Sequence, residues 1–344
     1  MPCLRRIFAP RLVRLKAGAL DRVSIYLKRE GWRSPLLLIS EGLPDHIVQR
    51  IVNTCQLAQT LVVEDASVET EKILIGSLVD PLDCVIGLGG GKTIDLAKSI
   101  AFRLGLPFLA IPTSLSNDGF CSPNSSLTSE GKRFTQKARL PVGVVVDLEV
   151  VQQAPMSLWL SGVGDLVAKR TAIFDWRRAF HTDGTEFDDL AALLSDASVY
   201  QFLAYPQRDT KGIKLLAQGL LFNGVAMEMA GCSRPASGSE HLISHALDLL
   251  SENPRLHGLQ VGLATYWMGL VQGQNMDDID ALFEITGFWN HWKQNPMSRA
   301  DWIDALEHAP EIKPGFVTVL SEQDMRKRAA DILLTDQRVS QCLC

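Results

Sequence analysis

Residues 84–95 read Cys-Val-Ile-Gly-Leu-Gly-Gly-Gly-Lys-Thr-Ile-Asp, and no other stretch constrains the fold as tightly. A short apolar run with the character of a buried strand ends in a glycine cluster. A helical pattern (Leu96, Ala97, Ile100, Ala101) follows at once. Strand, glycine turn and helix start together form an anion site. Glycines let the backbone approach a ligand closely, and the first amides and positive dipole end of the helix attract phosphate.

Two standard phosphate motifs do not fit. A P-loop needs four residues between its first glycine and the Gly-Lys-Thr ending. Gly91-Lys92-Thr93 supplies the ending, but the first glycine would fall on Ile86, and Gly87 is one residue too close. Counting a dinucleotide fingerprint from Gly87 and Gly89 puts Lys92 where the third glycine belongs. The loop predicts a phosphate-bearing ligand without naming it.

Around this loop, short apolar runs at 12–15, 36–39, 60–63, 84–87, 108–111 and 142–147 alternate with helical patterns at 19–28, 45–57, 68–78 and 95–104. That rhythm predicts an α/β domain with a doubly wound parallel sheet over residues 1–153. Residues 122–137 break it and read as a β-hairpin turning at Ser129-Glu-Gly-Lys. From residue 154 to 344 the texture becomes long amphipathic stretches, at 158–180, 186–205, 213–230, 239–250, 258–272 and 277–289. A mainly helical second domain is expected, with a ligand cleft beside the carboxyl ends of the strands.

At 344 residues the chain is long enough for two such cores. The formal net charge of -5 gives no reason to expect nucleic acid or an anionic membrane as partner. No apolar stretch approaches the ~20 residues that span a bilayer. Seven cysteines, Cys3 among them, lie scattered with no Cys-x-x-Cys pair, which suggests reduced thiols in the cytoplasm. Early arginines, including Arg5 and Arg6, faintly resemble a presequence, but Arg11-Leu-Val-Arg-Leu15 alternates as a strand does. A homo-oligomer is neither required nor excluded.

A second constellation lies in the helical half. His241 and His245 are four apart, hence on one helix face, and His257 follows twelve residues later. Three of the seven histidines thus fall within seventeen positions. Glu240 precedes the first histidine, unlike the zinc-protease order, and is expected off the interior face. Imidazoles with an anionic oxygen suit a divalent metal, and Asp165, in Ser161-Gly-Val-Gly-Asp, is the best-placed carboxylate. Spacing alone leaves open which two histidines share the ion.

These segments, in order along nearly the whole chain, resemble the superfamily of iron-containing alcohol dehydrogenases, glycerol dehydrogenases and dehydroquinate synthases. The similarity is greatest to the sn-glycerol-1-phosphate dehydrogenases. Gly18-Ala-Leu20, residues 89–95, Pro112-Thr-Ser-Leu-Ser-Asn-Asp118-Gly, Ser122-Pro123, Gly164-Asp165-Leu-Val-Ala-Lys169, residues 237–245 and His257-Gly-x-Gln-Val-Gly262 carry it. The glycine loop is common to the superfamily; the Ser-Glu-His-x-x-Ser-His and Pro-Thr-x-x-Ser-x-Asp segments are specific to the glycerol-phosphate branch.

By that resemblance Gly89, Gly90, Gly91, Lys92, Thr93, Ile94 and Asp95 would hold the pyrophosphate of NAD or NADP. Thr113, Ser114, Leu115, Ser116 and Ser122 would line the cofactor. Asp165, His241 and His257 would bind one divalent ion, zinc being the expected metal, and Asp118 and His245 would face substrate. Asp118, Asp165 and His245 make up the catalytic set. The implied partner is a small phosphorylated triose or polyol, and the implied reaction is hydride transfer between dihydroxyacetone phosphate and sn-glycerol 1-phosphate. Lys169, Arg234, Lys132 and Arg133 are candidate phosphate cations. Glu41, just past the second strand, is placed to accept from the adenosine ribose and so to favour NAD. The chain departs from the family at Leu259, where a glutamate is usual, and in the wording of residues 116–121. A glycerol or other polyol dehydrogenase and a dehydroquinate-synthase-like cyclase are the competing readings.

Overall fold

The apolar runs of the first half are strands of one parallel sheet. In the computed structural model, which describes residues 7–79 and 81–344, these are β1 (Leu12–Lys16), β2 (Pro35–Ser40), β3 (Gln59–Val63), β4 (Cys84–Gly89), β5 (Phe108–Pro112) and β8 (Gly143–Asp147). Cys3, Arg5 and Arg6 lie outside the described residues. The sheet order is β1-β8-β5-β4-β2-β3, with every pairing parallel. The order reverses at β2 and β4, and the glycine loop leaves the carboxyl end of β4 at that switch point.

β4 is buried along its whole length, which is why it reads as a continuous apolar run instead of an alternating one. Each fully buried Leu or Ile there contributes roughly 1.5–3 kcal/mol. On one face of the sheet Leu37, Ile86, Leu109 and Val145 join a core with Leu20, Val23 and Ile51. The helices are α1 (Val23–Glu30), α2 (Asp45–Val52), α3 (Val68–Gly76), α4 (Gly91–Leu104) and α5 (Leu148–Gln152). α4 begins four residues before the expected 95, because Gly90 acts as N-cap and the Ile94 amide already closes on the Gly90 carbonyl. The expected hairpin is β6 (Asn124–Ser129) with β7 (Lys132–Lys137). Glu130 and Gly131 both take positive φ (51° and 74°), as a two-residue turn matched to strand twist requires.

The chain divides into two compact units. One holds residues up to Ala154 together with Asp209–Met229, the other Pro155–Arg208 and Ala230–Cys344. The segment 209–229, expected with the helical domain, therefore packs with the sheet unit. α9 (Thr210–Ala230) runs so close to the turn ending at Cys121 that a side chain at Gly224 would strike the Cys121 carbonyl.

The second unit is helical, as expected: α6 (Met156–Val167), α7 (Lys169–Asp183), α8 (Asp189–Leu203), α10 (Ser239–Leu250), α11 (His257–Val271), α12 (Asp277–Thr286), α13 (Phe288–Gln294), α14 (Arg299–Ile312), α15 (Gln323–Thr335) and α16 (Gln337–Ser340). Trp176, Trp267, Trp289, Trp292 and Trp302 are all fully buried in it. Two stretches expected as single helices are broken. Residues 158–180 break at Ala168, where the Lys169 ammonium caps the Asp165 carbonyl at 2.7 Å. Residues 277–289 break at Gly287, whose φ of 80° is the left-handed conformation that ends helices. Among the described residues no helix is long and apolar enough to cross a membrane, and no disulfide joins the six cysteines there.

Candidate metal centre and phosphate loop

In the sheet unit, the loop after β4 builds an anion cradle from backbone. The amides of Gly91, Lys92 and Thr93 lie in the first turn of α4, where no intrahelical carbonyl can take them. The hydroxyl of Ser40, at the end of β2, accepts from the Gly90 amide at 3.1 Å and lies 2.6 Å from the Thr93 hydroxyl. Gly89 has no room for a side chain, since a β-carbon there would fall on the Ser40 hydroxyl, with Thr93 3.1 Å away. Gly91, by contrast, meets only the Asn117 side chain at 3.9 Å. Lys92 is exposed, and Glu41 sits on the exposed turn after β2 with its amide on the Val63 carbonyl at 3.0 Å.

Several residues carried over as cofactor contacts have other duties. Ile94 and Leu115 are each 1% exposed and turn into the core, so neither offers a side chain to a ligand. The Ser122 hydroxyl accepts from the Asn124 amide at 3.1 Å. The Thr113 amide donates to the Gly89 carbonyl at 2.9 Å, which joins the two loops; Ser114 is buried, and Thr113 and Ser116 are half-buried. Asp118 opens a short 3-10 turn, Asp118–Cys121, whose start is capped by the Asn117 side-chain Oδ1 accepting from the Gly119 amide.

Sequence reading missed Lys98. Its buried ammonium donates to the Gly119 and Asn124 carbonyls, both at 2.6 Å, and lies 3.4 Å from Asp95. Burial raises the Asp95 carboxyl despite that cation. An i, i+3 lysine behind an aspartate looks like a surface pair in sequence, so nothing marked it.

In the helical unit, Asp165, His241 and His257 bring one donor atom each to within 4.8 Å of the others. The Asp165 carboxylate lies 3.6 Å from His241 Nε2 and 4.0 Å from His257 Nε2. The opposite ring nitrogens are both held: His241 Nδ1 by Glu240 at 2.8 Å, His257 Nδ1 by the Ser244 hydroxyl at 3.0 Å. Gln260 Nε2 in turn donates to Ser244 Oγ and Asp248, each at 3.0 Å. Metal-binding histidines need this arrangement, with one nitrogen anchored so that the other presents its lone pair.

The helices meet here because glycines allow it. A β-carbon on Gly258 would fall on the Ser161 carbonyl, and one on Gly262 would come 2.7 Å from the Gly164 α-carbon. α6 thus brings Asp165, and α11 brings His257, to the same point. His241 enters from the first turn of α10, whose start is fixed by Asp175 accepting from the Ser239 amide at 2.7 Å.

The electrostatics follow from burial. Burial alone would raise Asp165, but the Lys169 ammonium and the hydrogen bond with His241 outweigh it and hold the carboxyl well below the usual range. Burial would lower His241, yet Asp165 and Glu240 raise it to about 9. A cation at the triad is therefore favoured, be it a proton or a metal.

His245 falls into a different group. Its ring stacks 5.4 Å from that of His257 and lies 6.3 Å from that of His241. Among the described residues, no cluster of three or more possible ligands contains both His241 and His245. A second cluster of His245, Asp248 and His257 shares the His257 ring.

Glu240, expected off the interior face, is instead fully buried. Of the candidate phosphate cations, Lys169 is fully buried beside Asp165, and Arg234 donates to the Val317 carbonyl at 2.5 Å and stacks 3.5 Å from the Phe316 ring. Lys132 and Arg133 are exposed on β7. Leu259 is buried.

The profile of the family described as iron-containing alcohol dehydrogenase matches residues 14–155. A glycerol-1-phosphate dehydrogenase [NAD(P)+] of Aeropyrum pernix is 34% identical over 339 residues, covering 95% of this chain and 96% of the relative. That of Pyrococcus furiosus is 33% identical over 331 residues, covering 94% and 96%. Among solved structures, glycerol dehydrogenase from Schizosaccharomyces pombe superposes with a TM-score of 0.77 at 18% identity, covering 98% of this chain and 91% of the other, which shows the fold. With a third of its residues shared across nearly the full length of such relatives, the chain belongs to the glycerol-1-phosphate dehydrogenase family.

Proposed function

We propose that this chain interconverts dihydroxyacetone phosphate and sn-glycerol 1-phosphate with NAD(P)(H). The observation that carries the reading is the convergence of Asp165, His241 and His257 in a chain of this family. Two imidazoles and a carboxylate are donors that zinc accepts, and three protein ligands leave positions open for substrate oxygens. When bound, such an ion supplies Lewis-acid polarisation of the substrate carbonyl.

The chain's own residues do the rest. The amides of Gly91, Lys92 and Thr93 attract the cofactor pyrophosphate, with Gly91 leaving room for it. When bound, NAD(P)H would supply the hydride for the carbonyl carbon, which leaves the protein to orient the reactants and to provide charge and a proton for the carbonyl oxygen. We assign that proton to His245 and a substrate contact to Asp118.

The test is NADH and NADPH oxidation by zinc-reconstituted protein with dihydroxyacetone, its phosphate and a seven-carbon sugar-acid phosphate. Turnover on the triose phosphate is expected. Turnover on dihydroxyacetone alone would make the chain a polyol dehydrogenase; product without net cofactor consumption would make it a cyclase. In the same assay His257→Ala should lose stoichiometric metal and turnover together, whereas His245→Ala should keep metal and lose turnover. The reverse pattern overturns the ligand assignment.

A further inference from the structure

Glu240 is a fully buried carboxylate, and burying an ionised carboxylate is costly unless hydrogen bonds and opposite charge compensate it. Its oxygens accept from the Gly238 amide at 2.6 Å, the Thr171 hydroxyl at 2.7 Å and His241 Nδ1 at 2.8 Å. Among the described residues no lysine or arginine is ion-paired with it, and its one cationic partner is the His241 imidazole. The two histidines of the triad are thus anchored differently. His257 Nδ1 meets a neutral hydroxyl, while His241 Nδ1 meets a negative charge.

We infer that Glu240 is a positioning residue for His241 and that its charge, beyond its shape, sets the affinity of the triad for a divalent ion. Donating from Nδ1 to a carboxylate fixes the tautomer in which Nε2 carries the lone pair, and it increases the electron density that lone pair can share. The buried Lys169 ammonium already lies 4.0 Å from Asp165 and offsets part of that carboxylate's charge. The charge of Glu240, reaching the site through the His241 imidazole, is therefore the further negative charge that a buried dication would draw on.

The inference rests on the reading of Asp165, His241 and His257 as a metal site, and the test separates the two. Zinc is titrated into metal-free wild type, Glu240→Gln and Thr171→Ala, with thermal unfolding of each metal-free protein measured alongside. Gln keeps the size and an acceptor for His241 but removes the charge; Thr171→Ala removes a hydrogen bond to the same carboxylate and keeps the charge. Glu240→Gln should bind zinc ~10- to 100-fold more weakly, while Thr171→Ala changes stability with little change in affinity. In cobalt-loaded protein, the visible bands should shift for Glu240→Gln and stay in place for Thr171→Ala. Zinc affinity of Glu240→Gln within about twofold of wild type overturns the inference, as does loss of affinity that merely tracks loss of stability in both variants. Wild type that takes up no zinc overturns the metal reading along with it.

Discussion

Gly164 on α6 touches the backbone of Gly258 on α11: a β-carbon on Gly164 would lie on the Gly258 carbonyl oxygen. Asp165 and His257 are the chain neighbours of these two glycines, so the helix contact and the Asp165–His241–His257 cluster are one construction. A methyl group at position 164 must push the helices apart, since the obstructing atom is backbone. Gly164→Ala should cost about 1–3 kcal/mol of stability and weaken zinc binding, although the new group touches no ligand. Thermal unfolding and zinc titration check this; a variant with unchanged zinc affinity would uncouple the contact from the site.

Gly89 and Gly91, two positions apart in one loop, should fail in different ways. Gly89→Ala meets the Ser40 hydroxyl inside the protein, so it should lower the melting temperature whether or not cofactor is present. Gly91→Val has room in the folded chain, so it should fold normally and raise the NADH dissociation constant by at least roughly tenfold, its side chain standing where the phosphate belongs. Unfolding curves and fluorescence titration of NADH separate the two, and normal NADH affinity in Gly91→Val removes the loop from the cofactor site.

Glu41 is exposed on the turn after β2, at the strand end where an acidic side chain accepts from the adenosine ribose and repels a 2′-phosphate. We expect a preference for NADH over NADPH in kcat/KM. Removing one charge-assisted hydrogen bond in Glu41→Ala should shift the ratio toward NADPH roughly tenfold. A wild type that favours NADPH, or an unaltered ratio in the variant, assigns the choice elsewhere.

Asp175 gives a pH signature. Burial, then the neighbouring Glu240 carboxylate, push it up to about 6, while in the unfolded chain an aspartate titrates near 4. The folded protein therefore holds this proton more tightly, and its stabilising contribution is full below about pH 4, falls as pH rises through about 6 and is flat above. The difference in melting temperature between wild type and Asp175→Asn should move against wild type across that window. A pH-independent difference would mean that Asp175 is ionised throughout.

Much of this was legible in the sequence because the signals are local. β4 shows as an unbroken apolar run because it is buried on both faces, and the hairpin turn shows because Gly131 takes positive φ at no steric cost. The histidine cluster was legible through rare histidines near a glycine-flanked aspartate, but the choice of His241 and His257 over His245 came from the family resemblance and not from spacing. What escaped depends on contacts distant in sequence. Glu240 lies one position from His241 and so looked turned away, yet it bends back to that ring and to Thr171 on another helix. The break at Ala168 carries no glycine or proline; a lysine side chain taking a helix carbonyl has no sequence mark. The membership of residues 209–229 in the sheet unit is a matter of packing that helical periodicity does not contain.

The Lys98 ammonium donates to the Gly119 and Asn124 carbonyls, which ties α4 directly to the turn that begins with Asp118. The distance from α4 to that aspartate is thereby set by one side chain and not by the path of residues 113–117. A change in the path of residues 113–117 should therefore leave Asp118 in register with α4 for as long as Lys98 keeps its two carbonyls.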